Sequence, residues 1–372
     1  MRIFGNRFKA ILLVFLVGCP FAGITANKLV QAKGLPTDIR AHFIAFCDLA
    51  VTQLNLPGRT RPSNKRPIPF YIDSYVVRAL CTAYDMTKKE AYLDACKTWS
   101  NRMIVYQKQM IPSGFYYMNY GRKPSDTTGS CYDADNGCIA MGVLATAMHC
   151  EDKAEKERYI RSVESFAKLV LDRYVDSEGG ICNGLWPAFQ GPWWCSSGTV
   201  GALFFHLYEA TGNQRYLDAG LKDIAWLNSQ DLDTVGPLTL KQQGPSLPMY
   251  TFEAYSAGWP YFTKESMVEK GALAKASWFF KWASGYRFKG DGQWESKYGG
   301  LPFHLLVLGS DTQNSSMLTL ANQELSQIDS LLSDKGPVLS QFAAFSMLSM
   351  AEQLAPGAEF RLSNPVIRKH KF

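Results

Sequence analysis

The amino-acid sequence predicts an all-α protein in which twelve helices form six hairpins that close into an (α/α)6 toroid. Three observations support this fold class. Helical spacing of apolar residues recurs along most of the 372-residue chain, short and long connections alternate, and strongly apolar helices alternate with amphipathic ones. An open superhelix of helical pairs is the competing arrangement, because it would show the same alternation without closing on itself.

The helical segments can be placed by their apolar spacing and by the residues that end them. Ile39, Phe43 and Phe46 mark the first segment, and Pro- or Gly-rich stretches bound several others. No stretch has the alternation of a convincing strand. The predicted helices lie near residues 38–55, 71–84, 89–108, 133–149, 155–175, 197–211, 214–228, 249–258, 264–283, 301–309, 315–332 and 337–354.

The connections between these helices are alternately short and long. Short turns fall near residues 86, 152, 212, 261 and 312, whereas the long loops span 57–69, 109–132, 176–196, 229–248 and 284–299. Helices that follow a long loop are apolar nearly all round, as buried helices are. Their partners carry charge on one face. The pattern predicts a buried inner ring, an exposed outer ring and all the long loops at one end.

An internal repeat supports the hairpin organisation. Tyr84 to Ala95 and Tyr208 to Ala219 both read Y-[DE]-x-T, then four residues, then Y-L-D-A. Each copy lies on a predicted turn from an inner to an outer helix. Recurrence of one turn sequence at equivalent positions is typical of a fold built from repeated helical pairs.

The N-terminus has the pattern of an export signal. Arg2, Arg7 and Lys9 precede an apolar run from Ala10 to Ala26, as in a signal peptide. Leu16 to Cys19 resembles the site at which bacterial lipoproteins are cleaved and lipidated, so Cys19 or the apolar segment could anchor the chain to a membrane. The predicted organisation is a leader over 1–26, a single (α/α)6 domain over 36–355 and a C-terminal tail over 356–372. We therefore expect an exported protein, either periplasmic, secreted or membrane-anchored.

The net charge of the chain restricts the kinds of ligand that it can be expected to bind. The formal net charge of +6 loses the contributions of Arg2, Arg7 and Lys9 when the leader is removed. The mildly basic balance that remains favours an acidic ligand such as a uronic-acid polymer. Nucleic acid is not expected, because the basic residues are scattered and no binding motif is present.

Neither a cofactor nor a metal ion is expected. The loop carboxylates Asp231, Asp233 and Asp291 could build a metal site, but a solvated loop is the preferred interpretation of this spacing. Eight cysteines follow the leader, and we expect one or two disulfide bridges, with Cys131/Cys138 and Cys182/Cys195 as the local candidates. No zinc-binding pattern, phosphate-binding glycine loop or serine-nucleophile motif is present.

Two stretches resemble a known superfamily. Trp193 to Ala219 is similar to the apolar helix that ends in Y-E-x-T-G-[DN]-x-x-Y-L-x-A in six-hairpin glycosidase-like proteins, and Asp133 to Leu144 is similar to another of their inner-helix entries. The superfamily includes unsaturated glucuronyl and rhamnogalacturonyl hydrolases, related sugar epimerases and polysaccharide lyases. The resemblance implies a carbohydrate-active (α/α)6 toroid in which Asp133 is the catalytic acid/base.

The candidate catalytic residues are polar side chains at or near the starts of the inner helices. They are Asp73, Asp133, Asp135, Glu253, Tyr255 and His304. Hydrolysis needs a carboxyl group to transfer the proton and a second group to assist, and we predict Asp133 in the first role with Asp135, Asp73 or Glu253 in the second. Asp and Glu at helix starts also serve as caps, and a histidine on an apolar helix is often a core residue.

Loop aromatics are the candidate sugar-binding residues. Flat apolar rings on Gly- and Pro-containing loops can stack against pyranose rings, although aromatic side chains also plug wide toroids. The predicted substrate-binding residues are Tyr117, Asn136, Trp186, Trp193, Trp194, Trp259, Arg287 and Trp294.

These observations lead to one expected function and two alternatives. We expect an exported glycoside hydrolase that acts on oligosaccharides or polysaccharides containing uronic acid, without a cofactor. A polysaccharide lyase or sugar epimerase on the same fold is the first alternative, in which Tyr255 or His304 takes a proton and Asn136 or Arg287 neutralises the sugar carboxylate. The second alternative is a non-catalytic envelope lipoprotein that binds glycan or protein.

Overall fold

Twelve α-helices form the described part of the molecule. The computed structural model describes residues 38–61, 64–186, 189–233, 244–290, 295–335 and 338–361. Within these segments no strand is present, only isolated β-bridges. The helices are α1 (Ile39–Gln53), α2 (Phe70–Thr87), α3 (Glu90–Gln107), α4 (Asp133–His149), α5 (Lys153–Arg173), α6 (Trp194–Thr211), α7 (Gln214–Ser229), α8 (Ser246–Gly258), α9 (Met267–Gly285), α10 (Leu301–Asp311), α11 (Ser315–Lys335) and α12 (Gln341–Leu354). The predicted helix boundaries agree with these to within about one helical turn.

The six even-numbered helices form a closed inner ring. Each contacts the next, and α12 contacts α2, so that the ring closes. The odd-numbered helices pack outside it, with α1 lying against α12 and α2. This is the predicted (α/α)6 toroid, and closure of the ring rules out the open superhelix.

Burial follows the two kinds of helix predicted from the sequence. Nearly every residue of α4 is buried, because neighbours surround it on all sides. In α5 the buried residues are confined to one face, which includes Tyr159, Val163, Phe166 and Val170, at the spacing of three and four that one helical face requires. The apolar surface removed from water between the two rings is the main source of stability.

The sequence repeat forms the same turn twice. At the end of α2, Thr87 Oγ1 donates to the Ala83 carbonyl, and the next residue takes the left-handed conformation with its N–H bonded to the Tyr84 carbonyl. At the end of α6, Thr211 Oγ1 donates to the Leu207 carbonyl, and left-handed Gly212 follows. A Thr followed by a left-handed residue satisfies the last carbonyls of an inner helix and reverses the chain.

The inner helices α6 and α8 approach each other closely at Gly198. A Cβ atom on this residue would lie 2.0 Å from the Tyr250 carbonyl oxygen and 2.5 Å from the Cα of Thr251. Only glycine permits this backbone contact. The contact matters for function because Tyr250 contributes to the cavity described below.

The C-terminal residues that follow α12 pack into the ring end opposite the long loops. Glu359 and Phe360 are buried in the short 3-10 turn Ala358–Phe360. Glu359 Oε2 accepts a hydrogen bond of 2.8 Å from Arg78 Nε, and Arg78 Nη1 lies 3.2 Å from Glu253. The described part of the predicted tail is therefore attached to the inner ring through a buried arginine.

Several sequence predictions concern residues outside the described segments or are altered by the structure. The leader, Cys19 and Trp294 lie outside the described residues. Among the residues that are described, no helix has the length and apolar character needed to span a bilayer. All eight cysteines after the leader are unbridged thiols. The predicted bridges Cys131/Cys138 and Cys182/Cys195 are therefore absent, and seven of these thiols are buried in the apolar interior instead.

Candidate active site

A cavity of about 590 Å³ opens where the inner helices begin. It is lined by residues at the starts of four inner helices, such as Tyr71 of α2, Asp135 of α4, Cys195 of α6 and Ser246 of α8, and by Lys297 just before α10. The long loops supply the remaining walls. Helix N-termini carry partial positive charge, so the floor of the cavity favours negatively charged groups.

Asp135 is the one carboxylate that lines this cavity within the described segments. It is the third residue of α4, and its side chain is largely buried. Burial raises the pKa of Asp135 to about 7, against the opposing effects of the positive charges on Lys297 and Arg61. A carboxyl group with this pKa can be protonated near neutral pH, as a general acid must be.

Lys297 is the buried cation beside this carboxylate. Its side chain is fully buried, and its Nζ lies 5.2 Å from the ring centre of Tyr250 and 5.6 Å from that of Tyr71. Burial lowers the pKa of Lys297 to about 8, and the negative charge of Asp135 opposes that shift. The ammonium group thus lies within cation–π distance of two aromatic rings, and the charge of Asp135 acts on it.

Three further cations line the cavity. They are Arg61, Arg66 and Lys123. Arg61 Nε is buried and has no hydrogen-bond partner among the described residues, whereas Arg66 and Lys123 are exposed at the mouth. With one carboxylate against four cations, the described lining carries a clear excess of positive charge.

Six aromatic rings form a continuous wall along the cavity. Trp193 lies 5.9 Å from Trp186, which lies 6.0 Å from Tyr132. The series continues through Tyr120, Tyr71 and Tyr250, with centroid separations of 6.1, 6.4 and 6.3 Å. These spacings are those of favourable aromatic pairs. All six residues line the cavity.

Asp133 occupies a different position from Asp135. It is completely buried, does not line the cavity, and neither of its carboxylate oxygens has a hydrogen-bond partner among the described residues. Burial raises the pKa of Asp133 well above its usual value. The first turn of α4 has no side-chain cap. Asp133 was predicted to be the catalytic acid/base, but in the structure its side chain does not reach the cavity. It does not cap α4 either.

Asp73 and Glu253 lie apart from Asp135, and each is paired with an arginine. Asp73 accepts a hydrogen bond of 2.7 Å from Arg59 Nη1. Glu253 lies 3.2 Å from Arg78 Nη1 and lines a much smaller cavity, of about 30 Å³, beside Glu359 and Phe360. The structure does not bring either carboxylate into the large cavity.

Tyr255 and His304 are both engaged in contacts between helices. The Tyr255 hydroxyl donates to Asn228 of the outer helix α7 at 3.1 Å. His304 lies 3.0 Å from Ser256 Oγ and 2.8 Å from the Met249 carbonyl through its two ring nitrogens. Burial lowers the pKa of His304 to about 3. Neither residue lines the large cavity. His304 is neutral and buried, as expected of a histidine that belongs to the core of the protein.

The predicted sugar-binding residues divide into two groups. Tyr117, Trp186 and Trp193 line the cavity. The remaining described candidates do not line it: Asn136, Trp194, Trp259 and Arg287. Asn136 shows why, since its amide oxygen accepts from the backbone N–H of Tyr116 and positions the loop that carries Tyr117.

The sequence analysis missed the cations and several tyrosines of the cavity. Arg61 lies in the loop before α2, and Lys297 lies in the 3-10 segment Glu295–Gly300 before α10. Asp135 was predicted because it lies where a long loop leads into an inner helix. Arg61 and Lys297 lie at equivalent places in the chain. The basic residues predicted at this end of the fold, Arg287 and His304, do not line the cavity.

A metal site is not apparent in the part of the chain that the structure covers. No cluster of three His, Cys, Asp or Glu side chains is present there. Asp135 has cationic neighbours, which would oppose a divalent cation at this position.

Sequence comparison assigns the family. Residues 40–235, more than half of the chain, match glycosyl hydrolase family 76. The chain belongs to glycosyl hydrolase family 76. It is therefore a glycoside hydrolase, in agreement with the predicted enzyme class. No curated protein matches it in sequence.

Solved structures with the same fold include members of this family and other sugar enzymes. A family 76 α-mannanase from Bacteroides thetaiotaomicron shares 15% identity with a TM-score of 0.58, covering 83% of this chain and 94% of that one. An unsaturated glucuronyl hydrolase from Streptococcus agalactiae shares 10% identity with a TM-score of 0.57, covering 89% and 96%. A cellobiose 2-epimerase from Spirochaeta thermophila shares 11% with a TM-score of 0.56, covering 86% and 98%. These similarities confirm the six-hairpin glycosidase resemblance at the level of the fold.

Proposed function

We propose that this family 76 hydrolase cleaves oligosaccharides that contain uronic acid, with Asp135 as the group that transfers the proton. The observation that carries the proposal is the composition of the large cavity. A buried carboxyl group of raised pKa lies beside an aromatic wall and an excess of cations. Each of the three features corresponds to one need of the reaction.

The carboxyl group meets the chemical need. A glycosidic oxygen leaves as an alcohol, so a protonated carboxyl must lie within reach of it. Below about pH 7 the buried Asp135 carries that proton. Asp73 and Glu253 are held by Arg59 and Arg78, and Asp133 does not line the cavity. Asp135 is accordingly the strongest candidate among the residues described.

The aromatic wall meets the binding need. A pyranose ring has an apolar face that stacks on indole and phenol rings and a polar edge that forms hydrogen bonds. Trp186 and Trp193, with Tyr117 and Tyr120, offer such faces along the cavity. A volume of about 590 Å³ is sufficient for a short oligosaccharide, because ligand pockets of roughly 300–1,000 Å³ hold molecules of that size.

The cations support an acidic substrate. Arg61, Arg66, Lys123 and Lys297 surround a single lining carboxylate in the described part of the cavity. A uronic acid brings a carboxylate that can pair with these cations, whereas a neutral glycan has no such group. Uronic-acid oligosaccharides are therefore favoured over neutral ones.

A substrate panel tests the proposal. Purified protein is incubated with uronic-acid oligosaccharides and with neutral oligosaccharides such as α-mannosides, and both new reducing ends and ultraviolet absorbance are measured. The expected result is reducing-end release from an acidic member without a gain in absorbance. A gain in absorbance would indicate elimination and a lyase. Isomerisation without cleavage would indicate an epimerase, and exclusive cleavage of neutral members would refute the acidic substrate.

We also propose that the chain is exported. The support is the sequence of residues 1–26, with basic residues ahead of an apolar run. Fractionation of cells that express the full chain, followed by mass spectrometry of the mature N-terminus, tests this. A lipidated N-terminus at Cys19 would indicate membrane anchoring, cleavage near Ala26 would indicate release, and an intact cytoplasmic chain would contradict export.

A further inference from the structure

The aromatic surface of the large cavity continues past its rim. Tyr117 lines the cavity, and its ring centre lies 5.2 Å from that of Tyr106, with the two ring planes at 76°. Tyr106 is near the end of the outer helix α3 and does not line the cavity. Phe70, the first residue of α2, lies 5.9 Å from Tyr117 and 6.0 Å from Tyr106. The three rings therefore form one cluster that connects the cavity with the outer layer of helices.

Backbone hydrogen bonds hold this cluster in place. The Phe70 N–H donates to the Met118 carbonyl at 3.1 Å, and Asn119 Nδ2 donates to the Ile68 carbonyl at 2.8 Å. The loop that carries Tyr117 is thus attached, directly after that residue, to the segment that leads into α2. A ring that is already fixed in position loses little conformational freedom when a ligand stacks on it.

Tyr106 is half-buried, and its hydroxyl group is open to solvent. The hydroxyl oxygen forms no hydrogen bond with a described residue and is not buried. Val105, its neighbour in the chain, is 54% exposed, and Ile111, in the loop after α3, is 49% exposed. The outer side of the cluster therefore combines apolar surface with an accessible hydroxyl group. A sugar ring, with one apolar face and a polar edge, matches that combination.

The size of the cavity gives this surface a use. A volume of about 590 Å³ suits a short oligosaccharide, since ligand pockets of roughly 300–1,000 Å³ hold small molecules. A longer glycan must leave the cavity over its rim, and its further sugar units then lie either on the protein surface or in water. Contacts with such remote units supply binding energy that can raise kcat/KM.

We propose that Tyr106 forms a distal sugar-binding subsite outside the cavity. There its ring stacks against a pyranose unit of a long oligosaccharide whose other end occupies the cavity beside Tyr117. This subsite depends on the proposed binding of an oligosaccharide in the cavity, and it serves acidic and neutral sugar units alike. Through it the enzyme selects substrates by their length, with a residue of the outer helix layer.

A series of chain lengths tests the proposal in the full-length protein. The oligosaccharide of the substrate panel that the wild type cleaves fastest is prepared in increasing lengths, beginning with the shortest member that is cleaved. For the wild type, kcat/KM should rise about 5-fold at the length that first reaches Tyr106, as one additional stacking contact allows. A kcat/KM that is independent of length would overturn the proposal.

Two variants identify the group that is responsible. The quantity compared is the ratio of kcat/KM on the longest member to kcat/KM on the shortest. Tyr106→Leu keeps an apolar side chain against Tyr117 and Phe70 but has no flat ring, so the ratio should fall about 5-fold. Tyr106→Phe keeps the ring and should retain most of the ratio. A wild-type ratio in Tyr106→Leu would show that Tyr106 only supports Tyr117, and would overturn the subsite.

Tyr208→Leu is the matched control. Tyr208 is half-buried like Tyr106, and its ring centre lies 5.5 Å from that of Tyr261, with the planes at 78°. It is near the end of α6, however, at the end of the ring opposite the long loops. Tyr208→Leu should therefore keep the wild-type ratio. An equal fall in Tyr208→Leu and Tyr106→Leu would show a general effect of losing a tyrosine, and would overturn the subsite.

Calorimetry separates this subsite from the proposed function. If the series is cleaved and the ratio does not respond to Tyr106→Leu, the subsite alone fails. If no member is cleaved, the proposed hydrolysis fails, and binding of long and short galacturonate and α-mannoside oligomers still tests the subsite. Tighter binding of a long oligomer than of a short one by the wild type, but not by Tyr106→Leu, would support it. Equal affinity of the wild type for both lengths would overturn it.

Discussion

Replacing Gly198 with alanine should weaken the inner ring and disturb the cavity together. The new Cβ would lie 2.0 Å from the Tyr250 carbonyl oxygen and 2.5 Å from both the Tyr250 carbonyl carbon and the Thr251 Cα. Ordinary contacts between heavy atoms are about 3.5 Å apart, so α6 and α8 would have to separate by roughly 1.5 Å. The clashing atoms belong to the backbone, and rotation of a side chain cannot relieve the contact.

The energetic cost follows from two opposing effects. Overpacking at a buried contact costs about 1–3 kcal/mol, whereas alanine stabilises a helix interior by roughly 0.5–1 kcal/mol relative to glycine. We therefore expect Gly198→Ala to lower the free energy of unfolding by about 1 kcal/mol, the difference between the midpoints of those two ranges. Movement of α8 would also displace Tyr250 from the aromatic wall, so kcat/KM should fall.

Denaturant unfolding and steady-state kinetics measure the two effects. Gly285→Ala is the matched control, because Gly285 is the last residue of α9 and its Cβ would meet no atom within 4 Å. The control should be unchanged or slightly more stable. A Gly198→Ala protein as stable and as active as the Gly285→Ala protein would refute the close approach of α6 and α8.

Three other substitutions have distinct expected outcomes. Asp133→Asn should raise the free energy of unfolding at pH 7, because asparagine carries no ionisable group. Burial raises the folded-state pKa of Asp133 above its unfolded value, so the ionised side chain opposes folding increasingly as pH rises from 4, and the gain should vanish at about pH 4. Glu359→Gln should destabilise the protein by about 3 kcal/mol in urea unfolding, because it leaves the buried Arg78 with one carboxylate partner in place of two; a loss below 0.5 kcal/mol, the scale of an ordinary surface change, would contradict the buried attachment. Trp186→Ala should raise KM about 10-fold for the oligosaccharide through loss of one stacking face, whereas Trp259→Ala, outside the cavity, should leave KM unchanged.

The fold could be predicted because its signals are local. Helices buried on all sides must be apolar all round, and helices on the outer layer must have one polar face, so α4 and α5 differ visibly in sequence. Loop length then determines which helix ends meet. These properties need no knowledge of long-range contacts.

The site could be predicted only in part, because it depends on how each helix is rotated. Asp133 and Asp135 are two residues apart at the start of α4, so their side chains point in directions about 200° apart. One reaches the cavity and the other is buried behind it. Sequence spacing identified the junction but could not determine which aspartate faces inward.

Long-range partners account for the other differences. Glu253 pairs with Arg78 across a separation of 175 residues, and no local pattern reveals that this carboxylate is already neutralised. Lys297 is likewise missed because a lysine in a loop usually faces solvent. Here Lys297 is buried near the rings of Tyr71 and Tyr250.

The measurement that tests the account most directly is turnover by Asp135→Asn, compared with the wild type and with Asp133→Asn on the same acidic oligosaccharide. Loss of a general acid lowers kcat by about 100-fold to 10,000-fold, and we predict that loss for Asp135→Asn alone, with folding confirmed by a single cooperative thermal transition. Reducing-end release by Asp135→Asn at the wild-type rate, or its loss in Asp133→Asn instead, would contradict the assignment of Asp135 as the residue that transfers the proton.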